Sequence, residues 1–241
     1  MTIGDLIAEG LPGKADWRSR MAEEWGESSP AFQSRTLARY GSDAEGALNP
    51  SSWVERAMDA AFDVGLPSVA GLDVAGSVTG NETALALVAE PEGKGSYRVR
   101  DVHAWQVRDT QEIKGSALRL VRGAGATLLR VDGVGLGRGV IDSVRQDFAA
   151  VEESRASDRR PDDPTRFANR KAEVAWTLRN LLEAGCVRLQ GNSDLRAQLA
   201  AMRYEVTPRG TVRVVDPSDS PDHVDAVLHR PCWHSPAIWQ G

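Results

Sequence analysis

The chain of 241 residues has little cysteine, no long apolar run and no excess of basic residues. Its two cysteines, Cys186 and Cys232, are too far apart for a zinc-type pair and too few for a disulfide framework, so both are expected to be reduced. No run is long enough to span a membrane, and the first residues lack the basic-then-apolar pattern of a signal peptide. The sequence therefore predicts a cytoplasmic protein without membrane contact.

The charge of the chain limits the kinds of partner it can have. A net charge of −5 argues against a protein that coats nucleic acid over its whole surface, because such proteins are usually basic. It leaves room for an enzyme that contacts DNA through a local patch. An acidic centre would contribute to the negative sum, and bound metal ions would reverse its sign locally.

The pattern along the chain divides it into two predicted regions. Residues 1–67 carry tryptophans among Gly, Ser, Pro and charged residues with little periodicity, which predicts an N-terminal extension. Residues 68–241 alternate short apolar runs with helical spacing, which predicts an α/β domain. Its first three strands should form an antiparallel meander, and the run over 126–131 should return parallel beside the first strand. A C-terminal β-hairpin is expected around Pro208–Gly210, and the polar segment Val151–Thr165 is expected to be a mobile loop.

Acidic residues follow two buried strands and recur at the start of the last helix. Asp73 and Asp132 each end an apolar run, and neighbouring strands lie about 4.8 Å apart, so the two carboxylates could share a cation. Asp222 and Asp225 are three residues apart and therefore share a helix face. Oxygen ligands of this kind suit Mg²⁺ and Mn²⁺. The pattern predicts a divalent-metal centre, and two-metal phosphodiester cleavage is the chemistry that it favours.

Several of these residues also have an ordinary structural explanation. An Asp after a strand is often a turn or cap residue, and Asp222 suits a helix N-terminus. His223 could contact a phosphate or assist a metal, although a solvated histidine on a helix face is the more ordinary reading. The glycine-rich stretch over 133–139 matches neither common phosphate-binding motif, and it reads equally well as a tight passage of backbone.

Basic residues form one cluster, which is diluted by aspartates. A DNA-contacting patch and an ordinary solvated loop are both consistent with this composition, since phosphate binding mostly needs Lys and Arg. The candidate DNA-binding residues are Arg138, Arg159, Arg160, Arg166, Arg170 and Lys171.

An ordered set of motifs resembles the nuclease domain of tailed-phage terminase large subunits. The motifs are Gly71-Leu-Asp-Val-Ala75 with Gly80-Asn-Glu-Thr83, Val131-Asp-Gly-Val-Gly-Leu-Gly137, Phe167-Ala-Asn-Arg-Lys-Ala-Glu173 and Ser220-Pro-Asp-His-Val-Asp-Ala-Val227. Their order and approximate intervals match as well. Upstream, Trp25–Phe32 and Leu48-Asn-Pro resemble the stretch that joins the packaging ATPase to the nuclease, so the similarity runs from about Trp17 to Trp233.

The resemblance implies a ribonuclease H-like fold, with a mixed central sheet flanked by helices. It also implies a two-metal endonuclease that cuts concatemeric viral DNA during genome packaging. Asp73, Asp132 and Asp225 would be catalytic and bind Mg²⁺ or Mn²⁺, with Asp222 as an additional acidic ligand. The implied partners are double-stranded DNA, a packaging ATPase, the small terminase and the portal, in the cytoplasm of a bacterial host.

Two features depart from the pattern of this family. Many relatives carry an acidic residue in the turn after the first strand, where this chain has Asn81, and Glu82 is the candidate substitute. No Walker A sequence occurs in the chain, so it is not expected to translocate DNA by itself. The chain is expected to be an excised domain, a split terminase or a prophage remnant.

Three other functions compete with this interpretation. A Holliday-junction resolvase has the same fold and would prefer branched DNA. A packaging or assembly module would bind a packaging ATPase, small terminase or portal without cutting DNA, its acidic site being degraded around Asn81. An actin-like sugar kinase also begins with a Gly-x-Asp strand, but the chain is too short for its two domains.

Overall fold

The computed structural model describes residues 14–26, 46–58, 68–75, 81–89, 96–217 and 220–229. The chain forms two compact units, one of residues 1–47 with 239–241 and one of residues 48–238. Helix α1, Lys14–Trp25, belongs to the first unit. The boundary predicted at residue 67 lies outside the described ranges and stays a prediction. No helix in these ranges is both long and apolar enough to cross a membrane.

The second unit is built on a six-stranded mixed sheet. Its strands are β1 Ser68–Asp73, β2 Thr83–Ala89, β3 Tyr97–Trp105, β4 Leu128–Asp132, β5 Val151–Ser154 and β6 Val187–Leu189. The order across the sheet is β5-β4-β1-β2-β3-β6. β1, β2 and β3 form the predicted antiparallel meander, and β4 lies parallel beside β1 as predicted.

Six helices belong to this second unit within the described ranges. They are α2 Ser51–Met58, α3 Thr110–Gly123, α4 Gly137–Arg145, α5 Arg170–Glu183, α6 Ser193–Ala201 and α7 Asp222–Leu228. α3 and α4 pack on one face of the sheet, where they share an apolar core with β1, β2, β4 and β5. α7 contacts β1, β2 and β3. The mixed sheet with flanking helices confirms the predicted fold class.

Helix α3 shows how the sequence sets these elements. Ile113, Ala117, Leu118 and Val121 recur at helical spacing and are buried in the core. The carboxylate of Asp109 accepts a hydrogen bond from the backbone N–H of Gln111, 2.7 Å away, and so caps the first turn. Spacing and cap together explain why the predicted helix forms here.

A second, two-stranded sheet forms the predicted C-terminal hairpin. Its strands are β7, Arg203–Val206, and β8, Val212–Val215, in antiparallel register. The turn is closed by a 2.9 Å hydrogen bond between the hydroxyls of Thr207 and Thr211. Gly210 adopts a φ of 85°, a backbone conformation that residues with a Cβ rarely adopt.

Two edge strands differ from the sequence expectation. The prediction that Val151–Thr165 is a mobile loop is wrong at its start, because β5 pairs in parallel with β4. β6, of three residues, was not predicted and pairs with β3. Both strands are too short for a clear apolar alternation, so the partner strand determines the pairing and the local sequence does not.

The register of the parallel strands positions the acidic residues. Leu72 pairs with Val131, so Asp73 and Asp132 are the next residues at the carboxyl ends of β1 and β4. Asp132 in turn pairs with Ser154 at the end of β5. Because side chains alternate between faces along a strand, these three residues lie opposite the core residues Leu72 and Val131. A row of polar side chains therefore lies at the carboxyl ends of β1, β4 and β5.

Gly137 allows the chain to turn closely from β4 into α4. A Cβ at Gly137 would lie 1.6 Å from the carbonyl oxygen of Asp132, whereas a Cβ at Gly139 would meet nothing within 4 Å. Gly137→Ala should therefore lower the free energy of unfolding by about 1–3 kcal/mol through overpacking. Gly139→Ala, the matched control in the same helix, should raise it by up to about 1 kcal/mol through better helix propensity. Urea denaturation measures both, and equal effects would contradict this account of the turn.

Candidate metal centre

Asp73, Asp132 and His229 converge at the carboxyl ends of β1 and β4. Each offers one ligand atom, and these atoms all lie within 4.8 Å of one another. Nε2 of His229 is 3.6 Å from Oδ1 of Asp73 and 3.9 Å from Oδ2 of Asp132. The three side chains are only 17%, 15% and 4% exposed. Two carboxylates and an imidazole around one gap form a donor set that fits a divalent cation.

His229 was missed in the sequence, and it enters this cluster from the end of α7. It is the first residue after the helix, four positions beyond Asp225, so the two side chains share one face. Its Nδ1 lies 2.8 Å from Oγ of Ser154, which fixes the orientation of the ring. The i, i+4 spacing from a predicted metal ligand is the one signal that could have identified it.

Asp225 lies in the same pocket but is held by Lys171. The pocket is lined by Asp73, Asp132, Ala156, Ser157, Lys171, Asp225, Leu228 and His229. Nζ of Lys171 is 2.9 Å from Oδ1 of Asp225 and 2.9 Å from Oδ1 of Asp216. Burial raises the pKa of Asp225 to about 6, although Lys171 opposes this rise. Burial lowers the pKa of Lys171, but the two carboxylates outweigh burial and raise that pKa above its ordinary value.

Asp222 and His223 lie outside this pocket. Oδ2 of Asp222 accepts a hydrogen bond of 2.6 Å from the backbone N–H of Glu82. Glu82 therefore contacts Asp222 through its backbone. Burial raises the pKa of Asp222. The reading of His223 as solvated is wrong, because it is buried and its Nδ1 lies 3.2 Å from Nε2 of Gln198. Neither Asp222 nor His223 lines the pocket, although the charge of Asp73 also contributes to the raised pKa of Asp222. Asn81 is exposed beside Glu82.

The glycine-rich stretch holds the chain close to Asp132. The backbone N–H of Val134 donates to Oδ1 of Asp132 across 3.3 Å, which orients the carboxylate. A Cβ at Gly133 would lie 2.0 Å from Oε1 of Glu153. These contacts are those of a tight backbone passage beside the acidic cluster.

Four of the six predicted basic residues contact other residues of the chain, and one of these, Arg138, is also exposed. Arg138 lies 3.5 Å from Glu153, and Arg170 pairs with Asp162 and Glu173. Arg166 stacks on the ring of Phe167 with its guanidinium carbon 5.1 Å from the ring centre. Arg159 and Arg160 are exposed. Neither makes an ion pair within the described ranges.

The match to a family model decides the kind of protein. Residues 70–230, about two thirds of the chain, match the model of the terminase RNaseH-like domain. The chain belongs to this family. The match confirms the resemblance read from the sequence, and terminase membership supports a nuclease role in packaging. The comparison with curated proteins finds no match.

Solved terminase structures have the same fold. A mutant nuclease domain of the large terminase subunit gp2 of bacterial virus Sf6, with manganese and β-thujaplicinol, has a TM-score of 0.64 at 20% identity, covering 79% of this chain and 100% of that one. The large terminase nuclease from thermophilic phage G20c, with bound magnesium, has a TM-score of 0.58 at 12% identity, covering 78% and 97%. The large terminase of another thermophilic bacteriophage matches at a TM-score of 0.62 and 13% identity, covering 88% of this chain and 49% of that one. Together with the family match, these likenesses confirm the ribonuclease H-like fold.

Lys171 supplies the positive charge beside Asp225 in this terminase domain. Lys171→Ala should leave Asp216 and Asp225 without a cation and lower the free energy of unfolding by about 1–3 kcal/mol in the absence of metal. Added Mn²⁺ should then raise the melting temperature of the variant by more than that of the wild type, because the ion replaces the lost charge.

The matched control is Lys114→Ala, which removes a lysine paired with Asp147, 2.6 Å away, outside the pocket. This control should show the wild-type response to Mn²⁺. An identical Mn²⁺ shift in all three proteins, measured by differential scanning calorimetry, would contradict the assignment of Lys171 to the metal pocket.

Proposed function

We propose that this terminase domain is a divalent-metal-dependent endodeoxyribonuclease that cuts concatemeric viral DNA during genome packaging. The observation that carries the proposal is the convergence of Asp73 and Asp132 at adjacent strand ends, with Asp225 from α7 lining the same pocket. Carboxylates so placed contribute little to packing, and their mutual repulsion is costly unless a cation lies among them.

The donor atoms support Mg²⁺ or Mn²⁺ as the cofactor. Asp73, Asp132 and Asp225 offer carboxylate oxygens, which hard divalent ions prefer. The phage nucleases solved with manganese and with magnesium have the same fold, which favours the same ions here. We propose two ions, with Asp222 as an additional acidic neighbour. Bound there, the ions would activate a water for attack on the scissile phosphate and stabilise the departing 3′ oxygen.

The residues of the chain prepare the pocket for this chemistry. The Val134 N–H holds the Asp132 carboxylate in place. Ser154 holds the ring of His229, and Lys171 holds Asp225 on the far side of the pocket. Polar groups fixed before the substrate arrives need no reorganisation during the reaction, which is the main source of catalysis in phosphoryl transfer.

We propose that the segment after β5 contacts the DNA backbone. Ala156 and Ser157 line the pocket, and Arg159 and Arg160 follow one residue later with exposed side chains. Two guanidinium groups beside the pocket would bind phosphates without reading the base sequence. Arg138, Arg166, Arg170 and Lys171 remain further candidates for DNA contact, although each also contacts another residue of the chain.

The family suggests the setting in which the domain acts. We propose residues 68–241 as the nuclease domain and residues 1–67 as an extension toward a packaging ATPase. A packaging ATPase, the small terminase and the portal are the proposed partners, in the cytoplasm of a bacterial host. The match to the terminase RNaseH-like domain supports these partners.

Cleavage depends in this proposal on the carboxylates of the pocket. Incubated with supercoiled plasmid and Mn²⁺, the wild type should nick and linearise the DNA. Asp132→Asn and Asp225→Asn should each lower the rate by at least about 100-fold, because each removes a charge that holds the ions. The rate constants are measured by agarose gel electrophoresis.

Asp142→Asn is the matched control, because Asp142 is 80% exposed on α4 and lines no part of the pocket. It should cut at the wild-type rate. Absence of cleavage by the wild type with every divalent ion tested would favour the alternative of a non-catalytic packaging module. A strong preference for four-way junctions would favour a resolvase.

The exposed arginines should contribute to DNA affinity through charge alone. Replacing Arg159 and Arg160 by alanine should lower affinity equally for unrelated duplexes and reduce the slope of log K against log salt by up to about two. Fluorescence anisotropy with labelled duplexes in EDTA gives both quantities. Arg119→Ala, on the exposed surface of α3, is the control and should leave the slope unchanged. An unchanged slope in the double variant would show that DNA lies elsewhere.

A further inference from the structure

We propose that His229 is a direct nitrogen ligand of the ion held by Asp73 and Asp132, and that it makes this site prefer a first-row transition ion to Mg²⁺. The inference rests on the proposed metal-dependent function and deepens it, because an imidazole ligand changes the class of ion that the site selects.

Nε2 of His229 is as far from each aspartate as two ligands of one ion would be from each other. Nε2 of His229 lies 3.6 Å from Oδ1 of Asp73 and 3.9 Å from Oδ2 of Asp132. An ion about 2.1 Å from two ligands holds them about 3.0 Å apart when they are adjacent and about 4.2 Å apart when they are opposite. The observed separations lie between these limits, so a small movement of the side chains is enough to bind an ion.

The same separations argue against His229 as a simple counter-ion. A charged N–H donating to a carboxylate brings nitrogen and oxygen to about 2.7–2.9 Å. Nε2 approaches neither carboxylate this closely, although the side chain is only 4% exposed and faces both. The ring therefore points into the gap between the two aspartates without forming a hydrogen bond to either.

The second ring nitrogen is engaged as it is in most histidine ligands. Nδ1 lies 2.8 Å from Oγ of Ser154, and this hydroxyl also accepts from the backbone N–H of Ala156 at 3.2 Å. A hydroxyl oxygen can accept two hydrogen bonds, so Nδ1–H can donate to it, which leaves the lone pair of Nε2 directed at the gap. Ser154 pairs with Asp132 in the sheet. β4 therefore positions Asp132, and the neighbouring β5 positions His229 through Ser154.

Asp225 is less available to this ion than His229. Both side chains project from one face of α7, but the two oxygens of Asp225 lie 2.9 and 3.0 Å from Nζ of Lys171. The carboxylate therefore already has a cation, whereas Nε2 of His229 lies 3.6 and 3.9 Å from the two aspartates and has no cation beside it in the described part of the chain. Imidazole nitrogen is a common ligand of transition ions and affinity rises from Mn²⁺ to Co²⁺, whereas Mg²⁺ prefers oxygen.

Pulsed EPR of the Mn²⁺-loaded wild type tests the inference without measuring activity. The expected spectrum shows the hyperfine coupling of one directly bound ¹⁴N nucleus. In protein labelled with ¹⁵N-histidine the coupling should change to that of ¹⁵N. This comparison needs no variant, so the outcome does not depend on whether a substitution folds. Bound Mn²⁺ without nitrogen coupling would overturn the role of His229 while leaving the carboxylate site in place.

Variants then identify the histidine. His229→Gln should abolish the coupling and weaken Mn²⁺ binding by at least about tenfold, with a smaller change for Mg²⁺, in isothermal titration calorimetry. His103→Gln, which removes a half-buried histidine paired with Asp101 on β3, should keep the wild-type coupling. Coupling that survives in His229→Gln would overturn the assignment. A wild type that binds no Mn²⁺ would overturn both this inference and the proposed function.

Discussion

The parallel pairing of β1 with β4 is the constraint on which the candidate site depends. Because Leu72 lies opposite Val131, the next residues bring two carboxylates to the same edge of the sheet. The apolar partners on the other face, shared with α3 and α4, hold this register, since a slip of one residue would expose them. Packing energy on one face thus fixes the acidic pair on the other.

Charged side chains surround the acidic pair, Asp73 and Asp132, in the pocket. α7 brings Asp225 and His229 into the pocket, and Lys171 on α5 forms an ion pair with Asp225. Burial raises the pKa of Asp225 even though Lys171 lies beside it. The positive charge of Lys171 therefore contributes to the stability of the pocket.

Much of this arrangement could be predicted, and the failures have physical reasons. Long strands, the meander and the hairpin follow from apolar runs and turn residues, and the strand-end positions of Asp73 and Asp132 follow from them. The short edge strand at Val151 has two exposed glutamates, so only its pairing with β4 reveals it. His229 lies 97 positions beyond Asp132 in sequence, and no local pattern shows that Ser154 turns its ring toward the aspartates.

Anomalous diffraction from crystals grown with Mn²⁺ tests the central claim most directly. The account predicts a manganese peak between Asp73 and Asp132, within bonding distance of an oxygen of each. Absence of a peak at this position, with manganese bound elsewhere or not at all, would contradict the claim that the β1–β4 register builds a metal centre.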